Sequence, residues 1–511
     1  MIEISSTQSS VETKKIIQKR SLANVSLSRW SLPLILAFQA VVAWMLLQNT
    51  AFQDEALYIY AGQQILEHWF GGLPLLDNYS YYFSGNPYLY PLIAGALNMA
   101  GGLQLVRAFS VLCMLVVTAC AYYVTKKLFN QPSAVFAAIF LVCQGPILFL
   151  SRLATYDPLC ICLLAIAMAL TVKTGYARRP WWALTIGPFL VLAFGAKYAA
   201  LLFIPSILAM LVVCTLLKRG WVSMLIRGFL GGLSLVVCAI VAAFLIIHFD
   251  PDMLHALAAT TTNRVVEQGT PRLTLTIHVI QMIGLAYGVA LVSLFFARKK
   301  QLLIVLLLLG SALLVPAYHI YKYELISLDK HLGFAMFFAA PAAGYALASL
   351  SGFRHKFSSG RYWLSGVAIC LVLFFVGVQE AYGMYTAWPD TTQLAYILNT
   401  QVRSGNGHYL MEQYEVSRYN LRDDTYNWQW IGLDFFQYTD KQWRYYVGDP
   451  AYAKAINDGY FDIIQLNYGF DYATAMSITD DIKQSKKYEL VAKIPFQDVY
   501  GTGYFSVWRK R

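Results

Sequence analysis

Between residues 31 and 386 the chain is written almost entirely as apolar runs, and about 20 such residues cross a hydrocarbon core as a helix. The runs fall at roughly 31–49, 104–125, 134–150, 158–173, 181–196, 199–217, 222–248, 273–297, 301–320, 331–350 and 362–386. Eleven spans of this kind describe an α-helical polytopic membrane protein. Composition agrees: of 511 residues 58% are hydrophobic and 13% charged, and the mean hydropathy is +0.50. Soluble domains do not have that balance.

The net charge of +11 comes as short clusters between the runs instead of lining one surface. That pattern writes membrane topology and argues against nucleic acid as a partner. The first 30 residues form a basic tail carrying Lys14, Lys15, Lys19, Arg20 and Arg29. With that tail cytoplasmic, alternation places Lys126/Lys127, Arg178/Arg179, Lys218/Arg219, Arg298/Lys299/Lys300 and Arg354/Lys356/Arg361 on the cytoplasmic side. The stretch 181–217 must cross twice for this to hold, which puts Lys197 at an exterior hairpin turn. Residues 86–125 are too long for one crossing, so the first half reads as an interfacial or re-entrant segment. No small-residue cleavage pattern follows the first run, which is therefore read as an uncleaved span.

All eight cysteines lie inside apolar runs, and Cys160 and Cys162, two apart on a helix, point to different faces. They are packing residues, with no disulfide expected. From about residue 387 the composition turns polar and aromatic. "FDIIQLNY" and "YELVAKIPF" read as strands, "AYAKAINDG" and "ATAMSITDDIKQ" as helices. The expected organisation is a tail at 1–30, a transmembrane domain at 31–386 and a small exterior α/β domain at 387–511.

Directly after the first span, "QDEALY" sets Asp54 beside Glu55. From Asp54 to Trp69 apolar residues recur every four positions at Leu57, Ala61, Ile65 and Trp69, which describes an interfacial helix in the first exterior loop. Two acids at its N-terminus are explained by capping alone. Other exterior features add weight to a site: "SRLATYDPL" brings Arg152 and Asp157, the hairpin brings Lys197, and "YKYELISLDKHLG" brings Lys322, Lys330 and His331. Each has an ordinary reading as a span end or a solvated loop, but acids and bases at one depth on one side form a credible cleft.

"DEALY", "GNPYLYPLIAG", "LVRAFSVL", "RLATYDPL", "GAKYAALLFIP" and "KHLGFAMFFAAPAAG" resemble, in order, motifs of the polyprenyl-phosphate-sugar-dependent glycosyltransferases of the GT-C class. That group contains the protein O-mannosyltransferases and the lipid A aminoarabinose transferase. The resemblance covers about residues 30–350 and leaves the C-terminal domain outside it.

The resemblance implies transfer of one sugar from a polyprenyl-phosphate donor to a glycan, lipid or protein acceptor on the exterior face, of the inverting kind. Asp54 matches the acidic residue that acts as base, with Glu55 beside it and Asp157 as a further catalytic candidate. A carboxylate in reach of the acceptor hydroxyl can take its proton. The leaving lipid phosphate needs positive charge on its oxygens, for which Arg152, Lys197, Lys330 and His331 are candidates. Arg264, in the long exterior loop Asp250–Arg272, could join them. Tyr58, Asn86 and Tyr88 fall in the same motifs and are candidate substrate contacts. Relatives carry Lys where this chain has Asn86, so that phosphate contact is missing or has moved. No cofactor is required by this chemistry, although Asp54 with Asp157 could hold a divalent cation.

A transporter or flippase of a lipid-linked sugar is the competing reading, but it calls for matching halves and mid-span charges, and Arg107 is nearly alone there. A mere membrane anchor for the C-terminal domain would not need eleven spans. In a bacterium the site would lie outside the plasma (inner) membrane, with the N-terminus cytoplasmic.

Overall fold

The computed structural model describes residues 29–263, 269–352, 363–402, 405–469 and 471–511. The basic tail, Arg264 and the Arg354/Lys356/Arg361 cluster lie outside them, apart from Arg29 and the next residue.

Among the described residues nine helices are long and apolar enough to cross a membrane: Arg29–Leu46, Tyr90–Leu128, Tyr156–Tyr176, Tyr198–Arg219, Trp221–Phe249, Arg272–Phe296, Lys299–Lys322, Leu328–Leu350 and Leu364–Tyr385. Two shorter apolar helices, Gln131–Val142 and Pro180–Ala196, take the places of the other two runs. Helix Tyr90–Leu128 breaks at Gly101 and Gly102, where Gly102 adopts φ 66°. Only glycine enters that region cheaply, so 90–100 is a separate helical piece, as its excess length required.

By contact density the described chain forms two compact units. The first comprises 29–45, 110–152, 157–263, 269–352 and 363–381; the second comprises 46–109, 153–156 and the described residues from Tyr382 to Arg511.

At the centre of the first unit is helix Leu328–Leu350, in which 19 of 23 residues are buried, whereas Trp221–Phe249 buries only three of 29. Small residues explain the difference: a Cβ on Gly344 would lie 2.4 Å from the Ser133 carbonyl oxygen, so helix Gln131–Val142 packs against it almost backbone to backbone. Trp221–Phe249 instead exposes Phe229, Ile240 and Phe244, an apolar surface that only lipid can satisfy. All eight cysteines are free thiols, six of them buried.

The second unit joins the first long loop to the C-terminal residues. Helix Gln53–Gly71 crosses the piece after Tyr90 at two glycines, where a Cβ on Gly62 would meet the Pro91 oxygen at 1.7 Å and one on Gly95 would meet Gly62 at 2.5 Å. Burial goes wider than the period-four stripe, since Tyr58, Tyr60 and Gln63 are covered as well as Ala61 and Ile65. The reason is a second layer: Gln53 donates to Glu415 at 3.1 Å and Arg418 lies 4.3 Å from the Tyr60 ring.

The C-terminal part is a five-stranded mixed sheet in the order β2-β1-β5-β7-β6. Its strands are β1 (Tyr409–Met411), β2 (Trp430–Ile431), β5 (Ile463–Leu466), β6 (Tyr488–Asp498) and β7 (Gly501–Lys510), and a separate hairpin pairs β3 (Gln437–Thr439) with β4 (Tyr445–Val447). β1 runs parallel to β2 and β5, while β7 is antiparallel to β5 and β6. Strand alternation builds two cores. Leu410 and Ile464 meet helices Asp449–Asp458 and Tyr472–Ser485 on one face, and Tyr409 and Ile463 meet Leu394 and Leu398 on the other. With both faces covered, β5 is buried at all four positions, which is why "DIIQL" reads as a continuous run.

Candidate active site

Asp54 and Glu55 open helix Gln53–Gly71, yet they occupy opposite environments. Asp54 is half-buried; Glu55 has no exposed surface. The Glu55 carboxylate takes Arg107 Nε at 3.0 Å, Arg107 Nη2 at 2.6 Å, the Ala154 N–H at 2.7 Å and the Phe52 N–H at 2.9 Å. The last bond is the reach-back of a capping residue. Arg107 also donates to the Asn49 and Thr50 carbonyls at 2.9 and 3.1 Å. One ion pair thus ties together the end of the first span, the loop helix, the long helix and the "LATY" segment.

Arg107 was missed as a functional residue, having been noted only as a rare mid-run charge. The signal was present: an arginine in an apolar run obliges a partner, and Glu55 was the adjacent acid without a clear role.

Tyr58 is buried and stacks on Tyr156 with centroids 4.6 Å apart, with Phe83 and Tyr90 edge-on to it. Asn86 uses its Oδ1 to accept the Tyr88 N–H at 2.7 Å, a turn that seats the following helix. The Tyr88 ring stacks on Trp69 at 5.7 Å, and Trp69 itself is exposed.

Further along the same loop, Asp77 accepts from Arg418 at 3.3 Å and from Asn427 at 2.8 Å. Tyr419 donates to Asn98 at 2.8 Å. Burial pushes the Tyr60 hydroxyl up to about 12, with Arg418 pulling against it, so the ring stays neutral beneath the guanidinium. Arg418, also unanticipated, is the cation that holds the loop to the C-terminal layer.

In the first unit Asp157, in the opening turn of helix Tyr156–Tyr176, pairs with Lys197 at 2.6 Å, and both are buried. Lys197 is extended, at φ −153° and ψ 129°, between helix Ile186–Ala196 and the turn Tyr198–Leu202. The break in the 181–217 stretch is therefore at the expected residue. Arg152 donates to the Trp44 carbonyl at 2.9 Å and lies 3.6 Å from that ring. Lys330 and His331 are in the first turn of Leu328–Leu350. His331 meets His319 at 2.7 Å, whose other nitrogen lies 2.7 Å from the Glu324 carbonyl. His278 contacts Asp329 at 2.6 Å. His319 and His278 were not among the expected site residues.

The structure thus brings Asp54, Glu55 and Tyr58 into one unit with Asn86 and Tyr88, and Asp157, Lys197, Arg152, Lys330 and His331 into the other. Among the described residues no three His, Cys, Asp or Glu are grouped so as to hold a metal ion.

A helical polytopic fold with a small mixed-sheet domain defines a class of membrane proteins, and solved structures share that fold. Residues 87–248 match the family described as dolichyl-phosphate-mannose-protein mannosyltransferase. Comparison with curated proteins finds no match. Among solved structures, apo ArnT from Cupriavidus metallidurans aligns over 94% of this chain and 98% of its own, with TM-score 0.63 and 14% identity. The same protein bound to undecaprenyl phosphate aligns over 93% and 97%, again at TM-score 0.63 and 14% identity. The apo oligosaccharyltransferase of Archaeoglobus fulgidus aligns over 93% of this chain and 74% of its own, at TM-score 0.53 and 12% identity. The family match and the shared fold bear out the resemblance to GT-C glycosyltransferases.

Proposed function

We propose that this protein transfers a single sugar from a polyprenyl-phosphate carrier to an exterior glycan, lipid or protein acceptor, with Asp54 as general base. The observation that carries the reading is the divergence of two adjacent carboxylates. Glu55 is spent on four donors, and Asp54, one residue earlier on the same rigid turn, is the acid that reaches the surface. Paired acids in unlike environments are how one becomes a positioning group and the other a base.

In the reaction the acceptor oxygen attacks the anomeric carbon as its proton passes to Asp54. The bond from that carbon to the phosphate oxygen breaks, and the lipid phosphate leaves with the electron pair. A single displacement of this kind inverts the anomeric configuration. The phosphate leaves as a stable anion, so cations suffice in place of a general acid. Arg152, Lys197, Lys330 and His331 supply that charge, and the Asp157–Lys197 pair keeps the lysine ammonium in place. The charge pattern of the loops supports a site on the exterior face, which in a bacterium is the outer face of the plasma membrane.

The test is purified enzyme with a panel of radiolabelled polyprenyl-phosphate sugars, wild type beside Asp54→Asn. Transfer should fall by about 10² to 10⁴ while donor binding is kept, and product from an α-linked donor should be β-linked. Wild-type rates in the variant would remove the base, and no donor consumed by either protein would remove the enzymatic reading. Chelator in the same assay tests a divalent cation.

A further inference from the structure

At the opposite end of the first unit from the helix start at Leu328, a cavity of about 570 Å³ is lined by Asn130, Arg298, Lys299, Lys300, Gln301, Tyr345, Ala348 and Ser349. We propose that this cavity is a binding site for a phosphate-bearing anion, the headgroup of an anionic phospholipid, separate from the sugar-transfer site.

The lining carries three consecutive cations and no acid, and among the described residues no ion pair engages any of the three. Its acceptors are already used. The Asn130 Oδ1 takes the Ser133 N–H at 2.9 Å, and the Gln301 Oε1 takes the Arg298 N–H at 3.3 Å and the Tyr345 hydroxyl at 3.1 Å. The Tyr345 hydroxyl has one proton, shared between that oxygen and the Phe296 carbonyl at 2.9 Å, and its ring stacks on Phe129 at 4.5 Å, so this wall is well anchored. What remains to face an occupant are the two amide N–H2 groups, the Ser349 hydroxyl, one guanidinium and two ammonium groups. A donor-rich, acid-free cavity selects an anion.

Two features favour a lipid over a soluble phosphate. The volume exceeds what a bare phosphate fills and is within the range of sites for larger molecules. The residues flanking its lining in sequence are apolar and exposed, Phe295 at 87% with Leu302, Leu303 and Leu350, which suits acyl chains descending beside the helices. The Arg298/Lys299/Lys300 cluster is one that the charge pattern places on the cytoplasmic side, where anionic lipids concentrate.

The experiment is native mass spectrometry and thermal unfolding of the full chain in neutral detergent, titrated with phosphatidylglycerol, phosphatidylcholine or inorganic phosphate. Phosphatidylglycerol should be retained and should stabilise the protein, whereas phosphatidylcholine and inorganic phosphate at the same concentration should do neither. At roughly fivefold per cation, the triple variant R298Q/K299Q/K300Q should bind phosphatidylglycerol on the order of 100-fold more weakly. The charge-matched control K126Q/K127Q/K218Q should bind like wild type. Should the triple variant fail to fold, Ser349→Glu, which keeps all three cations and places an acid in the lining, should weaken binding likewise. Equal retention of phosphatidylcholine, displacement by inorganic phosphate, or equal loss in the charge-matched control would overturn the proposal.

Discussion

Glu55 and Arg107 are 52 residues apart in sequence and 2.6 Å apart in space, with the two side chains 0% and 1% exposed. In that setting the pair is a structural commitment, because an uncompensated charge left behind by removing either partner has no access to water.

Arg107→Ala is therefore expected to lower stability by about 3–5 kcal/mol, read as a large drop in melting temperature in detergent. Glu55→Gln leaves the Arg107 guanidinium uncompensated and turns an N–H2 toward two N–H donors, so it should cost a similar amount. A variant Arg107→Ala that melts like wild type would mean that the loop helix is held by packing alone.

The Asp157–Lys197 pair lends itself to a double-mutant cycle. Lys197→Met alone should destabilise by about 3–5 kcal/mol, and adding Asp157→Asn should restore most of the loss, since the orphaned charge is then gone. Donor binding separates structure from function: if Lys197 also meets the donor phosphate, the double variant regains its melting temperature but not its affinity for polyprenyl phosphate.

Gly62 leaves no room for a side chain. Gly62→Ala should destabilise by roughly 1–3 kcal/mol or more through overpacking, and sugar transfer should fall with it because the helix carrying Asp54 is displaced. Gly71, where a Cβ meets nothing within 4 Å, is the matched control and should tolerate alanine.

Burial holds the Glu415 carboxyl above its ordinary range, while its hydrogen bond from Gln53 and the charge of Arg418 work the other way. A carboxyl whose folded value is raised contributes stability below its unfolded value and loses it as pH rises through the folded one. Glu415→Gln removes that titration. Its melting temperature should thus gain on wild type as pH is raised from 4 toward 8. A difference that stays constant, or that moves in favour of wild type on raising the pH, would show that Gln53 and Arg418 outweigh burial.

Much of the molecule was legible in the residues. Apolar length marked nine spanning helices among the described residues, because a helix that must satisfy its backbone in lipid has no other form; the other two expected spans, 134–150 and 181–196, hold the shorter helices Gln131–Val142 and Pro180–Ala196. The strands at Ile463–Leu466 and Tyr488–Asp498, and the helices Asp449–Asp458 and Tyr472–Ser485 of the C-terminal α/β part, followed from periodicity and turn residues. Lys197 was marked as a break because a lone cation divides an apolar stretch otherwise too long for one helix.

What only the tertiary structure decided is which distant groups share a site. No local pattern pairs Glu55 with Arg107, or Asp77 with Arg418 across 341 positions, because such contacts depend on how helices cross, and crossings are set by glycines such as Gly62 and Gly95 meeting face to face. The sequence by itself determined a membrane protein with two adjacent acids at the mouth of its first span. The fold decided that they differ, since burying one carboxylate obliges it to bind four donors and leaves its neighbour as the acid at the surface.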